Sequence, residues 1–351
     1  MTRNDKLEAT AESRKWKFRA PETSRLFDAI GTQHVGRTFC FLCGRRLTRS
    51  NRSDEHVFPR WLQRRYDLWN KQLTLLNGSH FHYRSLTIPC CRSCNTRFLS
   101  PIEQVVERAV RKGPAAVRRL SNRTLFLWLG KIFYGILLKE GLLRADVRDP
   151  RSRRLVPRTA VQSFRMHHYF LQGARVPMRF LDAFPASIFV YRVQRYREAE
   201  REFDFRDLPG ALALAVRMGS VGIVAALQDG GAQRAYMGSY LDGYRPYPLH
   251  PLQFSELIAS FFYKATLFNR TPKYMIMESV RALNVLQLPL QGFSLRPVFD
   301  EWDQGTYARI LAFHTRTPVE AIFNPPERVM TWLNGPDGQP RFLSLRANPW
   351  P

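Results

Sequence analysis

Lysine, carboxylates and uninterrupted apolar sequence are all scarce in this chain. Its 351 residues hold 9 Lys beside 45 Arg, and 29 Asp+Glu against 54 Lys+Arg, a formal net charge of +25. The shortage of acid excludes an ordinary neutral metabolic domain. The shortage of lysine makes the positive charge almost wholly guanidinium, which grips phosphate oxygens bidentately where an ammonium acts as a point charge. That balance predicts a polyanionic partner, with nucleic acid ahead of an anionic membrane. The longest nearly apolar stretch, Leu125 to Leu138, is 14 residues long and is interrupted by Lys131. It falls short of the ~20 residues that cross a bilayer and reads as a buried helix, so no membrane partner is expected. Residues 1–25 lack the apolar segment of a secretory signal, which predicts a reducing, cytoplasmic location.

Cysteine is equally sparse and unevenly placed: five residues, all between Cys40 and Cys94. In a reducing compartment such cysteines are better metal ligands than disulfides. Repeats and low-complexity segments are absent. What is present suffices for a core, since 44% of residues are hydrophobic and 13% aromatic. The basic excess is concentrated at the N-terminal end: residues 1–120 carry 24 basic and 10 acidic residues, and residues 121–351 carry 30 and 19. Three regions follow: a basic, poorly ordered arm over 1–30, a compact module over 31–120, and a helical segment with an α+β domain over 121–351, whose role is targeting or partner docking.

Local patterns predict a helix from Pro59 to about Gln72. A second begins at Ser100, where Ser100-Pro101-Ile102-Glu103 reads as a capping box with proline at the first helical position. A third covers Leu125 to Leu142. The loop from Arg148 to Arg158 holds five arginines and two prolines and is a linker or a phosphate contact. Strand-like runs follow at 187–193, 211–216, 221–227, 274–277 and 342–345, with a helix over 254–268.

The chemistry is concentrated in the cysteine-bearing stretch. Cys40-Phe41-Leu42-Cys43 and Cys91-Arg92-Ser93-Cys94 are CxxC knuckles separated by 47 residues, and each can place two thiolates on one tetrahedral zinc at ~2.3 Å. Gly44 suits the turn that follows the first pair, and Cys90 reads as a packed small hydrophobe. A zinc held by four thiolates has no open position, so it is structural and any catalysis belongs to other residues. Between the knuckles lies Asp54-Glu55-His56-Val57-Phe58-Pro59, and Asn95 follows the last cysteine directly. The staple therefore brings His56 near Asn95 across 38 intervening residues.

In these elements the sequence resembles the zinc-bearing HNH endonucleases, over about residues 38–105: Cys40-x-x-Cys43, then Glu55-His56-Val57-Phe58-Pro59, then Cys91-x-x-Cys94-Asn95. The resemblance implies a ββα-metal fold and hydrolysis of DNA phosphodiester bonds. It makes His56 the general base, with Glu55 and Asn95 as ligands of a catalytic Mg²⁺ or Mn²⁺. It also implies use in restriction or phage defence, where a partner protein is common. The family's middle asparagine has no counterpart, its place being taken by Ser85 and Leu86, and His80 and His82 are candidates for the missing orienting group. Glu103 is either a third ligand of the catalytic ion or the capping-box partner of Ser100. Arg45, Arg46, Arg49, Arg52, Arg60, Arg64, Arg65, Arg92 and Arg97 surround the motifs and are the candidate phosphate contacts. The same residues would serve an RNA-directed nuclease, or a zinc-stapled nucleic-acid-binding protein that does not cleave.

Overall fold

The structure, a computed structural model, describes residues 26–29, 38–149, 151–153, 164–196, 198, 201–279, 281–324 and 328–345. Most of the expected basic arm lies outside these residues, as do Arg154 and Arg158 of the arginine-rich loop.

Strand β1 (Arg52–His56) leads into helix α1 (Arg60–Arg65), and a hairpin of β2 (Gln72–Thr74) and β3 (His80–His82) follows. Next comes β4 (Thr87–Cys91), antiparallel to β1, with Glu55 facing Ile88 and His56 facing Thr87. Helix α1 is shorter than the run expected over 59–72. The N–H of Leu68 folds back on the carbonyl of Gln63 at 2.8 Å, and Asp67 takes a left-handed backbone with φ 50°, which ends the helix at Arg65.

The next helix departs from the sequence reading in an informative way. Residues Cys94–Leu99 form a wide π turn that runs directly into α2 (Ser100–Lys112). Ser100 is already helical, at φ −56° and ψ −42°, and its N–H bonds the carbonyl of Asn95. It is therefore not a cap, and the capping box does not form. Pro101, in the first turn of α2, has no N–H to give the carbonyl four residues back, and it follows the π turn directly. Glu103 is thereby free of the helix end.

After α3 (Pro114–Arg118) comes α4 (Asn122–Leu142), started by Ser121, whose hydroxyl accepts the N–H of Thr124 at 3.2 Å. From Leu125 to Leu138 every side chain of α4 is buried, Lys131 among them. Helix α5 (Arg165–Leu171) lies against α4. The rest is built on strands β5 (Met178–Phe180), β6 (Ser187–Val193), β7 (Phe203–Leu208), β8 (Ala213–Met218) and β9 (Val221–Ala226), then α6 (Ala232–Gly243), β10 (Pro248–Leu249) and α7 (Pro251–Thr266). Strands β11 (Tyr274–Glu278) and β12 (Leu283–Gln287) and helix α8 (Gln304–Thr315) follow. The fold is thus α+β, as the sequence predicts. The 342–345 run forms no strand; instead the Gln194 side chain donates to the Leu343 carbonyl and accepts the N–H of Leu345.

A five-stranded sheet, in the order β10-β6-β9-β8-β7, organises the molecule. Alternate side chains of a strand face opposite ways, and here both faces are buried. Ile188, Val190, Leu214, Val216 and Ile223 join one core with Val57, Phe58, Ile88, Ile102, Phe126 and Trp128. Phe189, Tyr191, Ala213, Ala215 and Val224 join another with Phe254, Leu257 and Phe261 of α7. The first core runs without a break from Cys40 to Val285, so α4 and the sheet form the wall against which the cysteine-bearing stretch is packed.

Candidate functional site

The four cysteines of the two knuckles come together. Their sulfurs lie within 4.8 Å of one another. A tetrahedron with bonds of ~2.3 Å has edges of about 3.8 Å, and Cys43 and Cys91 are separated by 3.8 Å, so the set suits one ion such as zinc. Local backbone shapes each knuckle. The N–H of Gly44, at φ 71°, returns to the Cys40 carbonyl at 2.9 Å, and the N–H of Cys94 points at Cys91 Sγ at 3.4 Å. A positive φ is open to glycine at little cost, which explains Gly44. Cys90, fully buried, stays outside the cluster.

Helix α5 and the turn after it hold the first knuckle from behind. His168 Nε2 donates to the Phe41 carbonyl at 2.6 Å, and Arg175 Nε donates to the Leu42 carbonyl at 3.2 Å. Burial pushes the His168 imidazole down to about 4, so it is a neutral, fixed donor. Arg175 is 3% exposed and feels the charge of all four thiols. With a zinc held by four thiolates the cluster would keep a net negative charge, part of which Arg175 would offset.

Beside the knuckles lies a cavity of 360 Å³ lined by Glu55, His56, Arg60, Asn95 and Glu103, among others. Strand β1 supplies Glu55 and His56, α1 supplies Arg60, and the π turn with α2 supplies Asn95 and Glu103. Eight residues of ordinary α-helix would set Asn95 and Glu103 about 80° apart, and the wider turn takes up part of that angle. Asn95 donates from Nδ2 to Ser53 Oγ at 3.0 Å, which leaves its amide oxygen as the free end. Glu55, Asn95 and Glu103 together offer the hard oxygen donors that a divalent ion such as Mg²⁺ takes.

His56 is half-buried, and its ring stacks on Trp69 with centroids 6.3 Å apart and planes inclined by 26°. Burial first, then the charges of Arg60 and Lys131, lower its pKa below the ordinary value; Glu55 and Asp54 pull the other way and lose. The imidazole is therefore neutral near pH 7. His80 and His82 do not reach the cavity. They serve their own hairpin, His80 Nδ1 pairing with Thr74 Oγ1 at 2.9 Å and His82 Nδ1 with the Asn70 carbonyl at 3.0 Å.

Sequence reasoning missed the centre's third charged member. Lys131 of α4 is completely enclosed, and its three ammonium protons go to Glu103 Oε1 at 2.6 Å, Glu55 Oε1 at 2.7 Å and the His56 carbonyl at 2.8 Å. Burial works against its charge, but the Glu103 and Glu55 carboxylates outweigh it and raise its pKa above the ordinary lysine value. Burial likewise pushes the Glu103 carboxyl up, with Lys131 opposing. A signal existed, since a lone cation inside an apolar helix must find acidic partners, but nothing local names them. Trp69 carried no signal beyond its apolar spacing in the run expected to be helical.

Comparison of the chain with family models, curated proteins and solved structures returns no match. Arg45, Arg46, Arg49, Arg60, Arg64, Arg65, Arg92 and Arg97 are all exposed, and among the described residues none pairs with a carboxylate. Arg52 does, with Asp54 at 3.3 Å. A larger cavity of 470 Å³ beside Glu256 and Trp302 holds no comparable set. There the Glu256 carboxylate is engaged by the Thr331 hydroxyl and the N–H groups of Trp332 and Leu333.

Proposed function

We propose that the chain is a metal-dependent endonuclease of the zinc-stapled HNH type that hydrolyses DNA. The observation that carries this reading is the convergence of Glu55, His56, Asn95 and Glu103 on one cavity beside four clustered cysteines. Cys40, Cys43, Cys91 and Cys94 hold a structural zinc that staples the strand side of the centre to its helix side. Glu55, Asn95 and Glu103 would hold a divalent cation, Mg²⁺ or Mn²⁺, which would supply charge stabilisation at the leaving 3′-oxygen.

His56, neutral and steadied by Trp69, takes a proton from water as the water oxygen bonds to phosphorus. The bond from phosphorus to the 3′-oxygen breaks, and the departing oxygen takes a proton from solvent water, leaving a 5′-phosphate and a 3′-hydroxyl. Arg60 at the cavity wall holds the scissile phosphate, and the unpaired arginines around it hold the flanking backbone. One observation favours a non-cleaving DNA binder instead: Lys131 already occupies an oxygen of each carboxylate.

Incubation of supercoiled plasmid with Mg²⁺, Mn²⁺ or EDTA decides between the two. The nuclease reading expects nicking or linearisation that needs the ion and falls at least about a hundredfold in His56→Ala and Asn95→Ala, with DNA affinity retained. Binding without cutting in every metal leaves a reader of DNA and overturns the enzyme.

A further inference from the structure

Lys131 has no place in the chemistry above, yet it is the most completely engaged side chain of the centre. Three oxygens surround its nitrogen at 2.6 to 2.8 Å, and an ammonium has three protons to give. The group is saturated, cannot rotate to serve substrate, and is shut off from solvent. Two of the oxygens belong to the carboxylates assigned to the divalent ion, and the third is the carbonyl of the assigned base. A single cation thus fixes three of the four functional residues, and it is delivered by a helix 76 residues away from Glu55 in sequence. The approach is close by construction: a Cβ on Gly135, one turn along α4, would sit 2.8 Å from a methyl group of Val57, the residue after His56.

Resting on the nuclease reading, we propose that Lys131 is a positioning residue that acts as a built-in monovalent cation. It orients Glu55 and Glu103 by holding one oxygen of each, and it competes with the divalent ion for their charge. A divalent ion would have to draw on what remains of the two carboxylates and on the amide oxygen of Asn95, so the centre would take it with restrained affinity. Orientation and competition make opposite contributions, which separates this role from simple stabilisation. Loss of the ammonium removes a repelling charge within a few ångströms of the ion, so the ion binds more tightly; it also frees the carboxylates, so turnover falls.

The test uses the full chain with its structural metal in place, wild type against Lys131→Met and Lys131→Gln. Two quantities are read: Mn²⁺ affinity, from the electron spin resonance signal of the free ion, and plasmid cleavage as a function of Mn²⁺ concentration. Lys131→Met is expected to bind Mn²⁺ on the order of tenfold more tightly and, at saturating Mn²⁺, to cleave at least about tenfold more slowly. Lys131→Gln keeps a donor but no charge, so it is expected to share the tighter binding while recovering part of the rate. It also covers the case in which the methionine variant does not fold. Weaker Mn²⁺ binding together with slower cleavage in the folded variants overturns the proposal and leaves Lys131 a structural ion pair. Unchanged affinity overturns it equally. A wild type that binds no Mn²⁺ and cuts nothing overturns the nuclease reading itself, and the proposal with it.

Discussion

His56 is tuned by what stands next to it. Enclosure disfavours the imidazolium, and Arg60 and Lys131 add positive charge that disfavours it further. As the proposed general base His56 would work as the neutral ring, so cleavage is expected to rise with pH through a pKa below the ordinary histidine value and then to level off. Arg60→Gln removes one of the charges that depress it. The acid limb of the pH–rate profile should then move to higher pH, even as phosphate affinity weakens. Profiles of wild type and variant in saturating Mn²⁺ check the sign, and an acid limb that stays in place removes Arg60 from the tuning.

At the scale of elements, the two knuckles are joined through their sulfurs and through the N–H of Phe41, which bonds the Pro89 carbonyl of β4 at 2.9 Å, while the helix side begins at Cys94. Stripping the thiolate-bound ion should let the loop of 40–44 part from the π turn and carry Asn95 away from His56. A strong chelator is expected to lower Tm by at least about 5 °C and to abolish cleavage. Zn²⁺ together with Mg²⁺ should restore it where Mg²⁺ alone does not, and one zinc per chain should be found by elemental analysis. Full activity in chelated protein would exclude a staple.

These same elements show how far the sequence could be read. The knuckles, the acid–histidine pair and Asn95 were legible because each is a short, covalently fixed spacing. The buried 125–142 helix was legible because its apolar run is long. Glu103 was legible as a residue but not in its setting, since a π turn runs into α2 where a local rule would start a helix. Strand β7 escaped because the alternation of Phe203 and Phe205 with Asp204 and Arg206 is short and Asp207 breaks it. Lys131 was legible as an anomaly without a partner, because the partners lie on other elements and only packing brings them together.

For the whole molecule, the shared core makes the site dependent on sequence far beyond it. A fragment ending at residue 120 keeps every cysteine, Glu55, His56, Asn95 and Glu103, but loses α4 and the sheet face that cover Val57, Phe58 and Ile102. It is expected to expose that apolar surface, to aggregate or bind a hydrophobic dye, and to show no metal-dependent cleavage. A soluble 1–120 fragment that cuts as the full chain does would show that the wall is dispensable.

The wall also imposes an order of manufacture. Glu55 and His56 leave the ribosome well before Lys131, and the sheet face that shares a core with the neighbouring Val57 and Phe58 is complete only at Ala226. The centre's carboxylate and imidazole are thus made before the residues that complete their packing. A translation product that stops before α4 carries the acid, the histidine and the cysteines without the ammonium that pairs with Glu55 and Glu103.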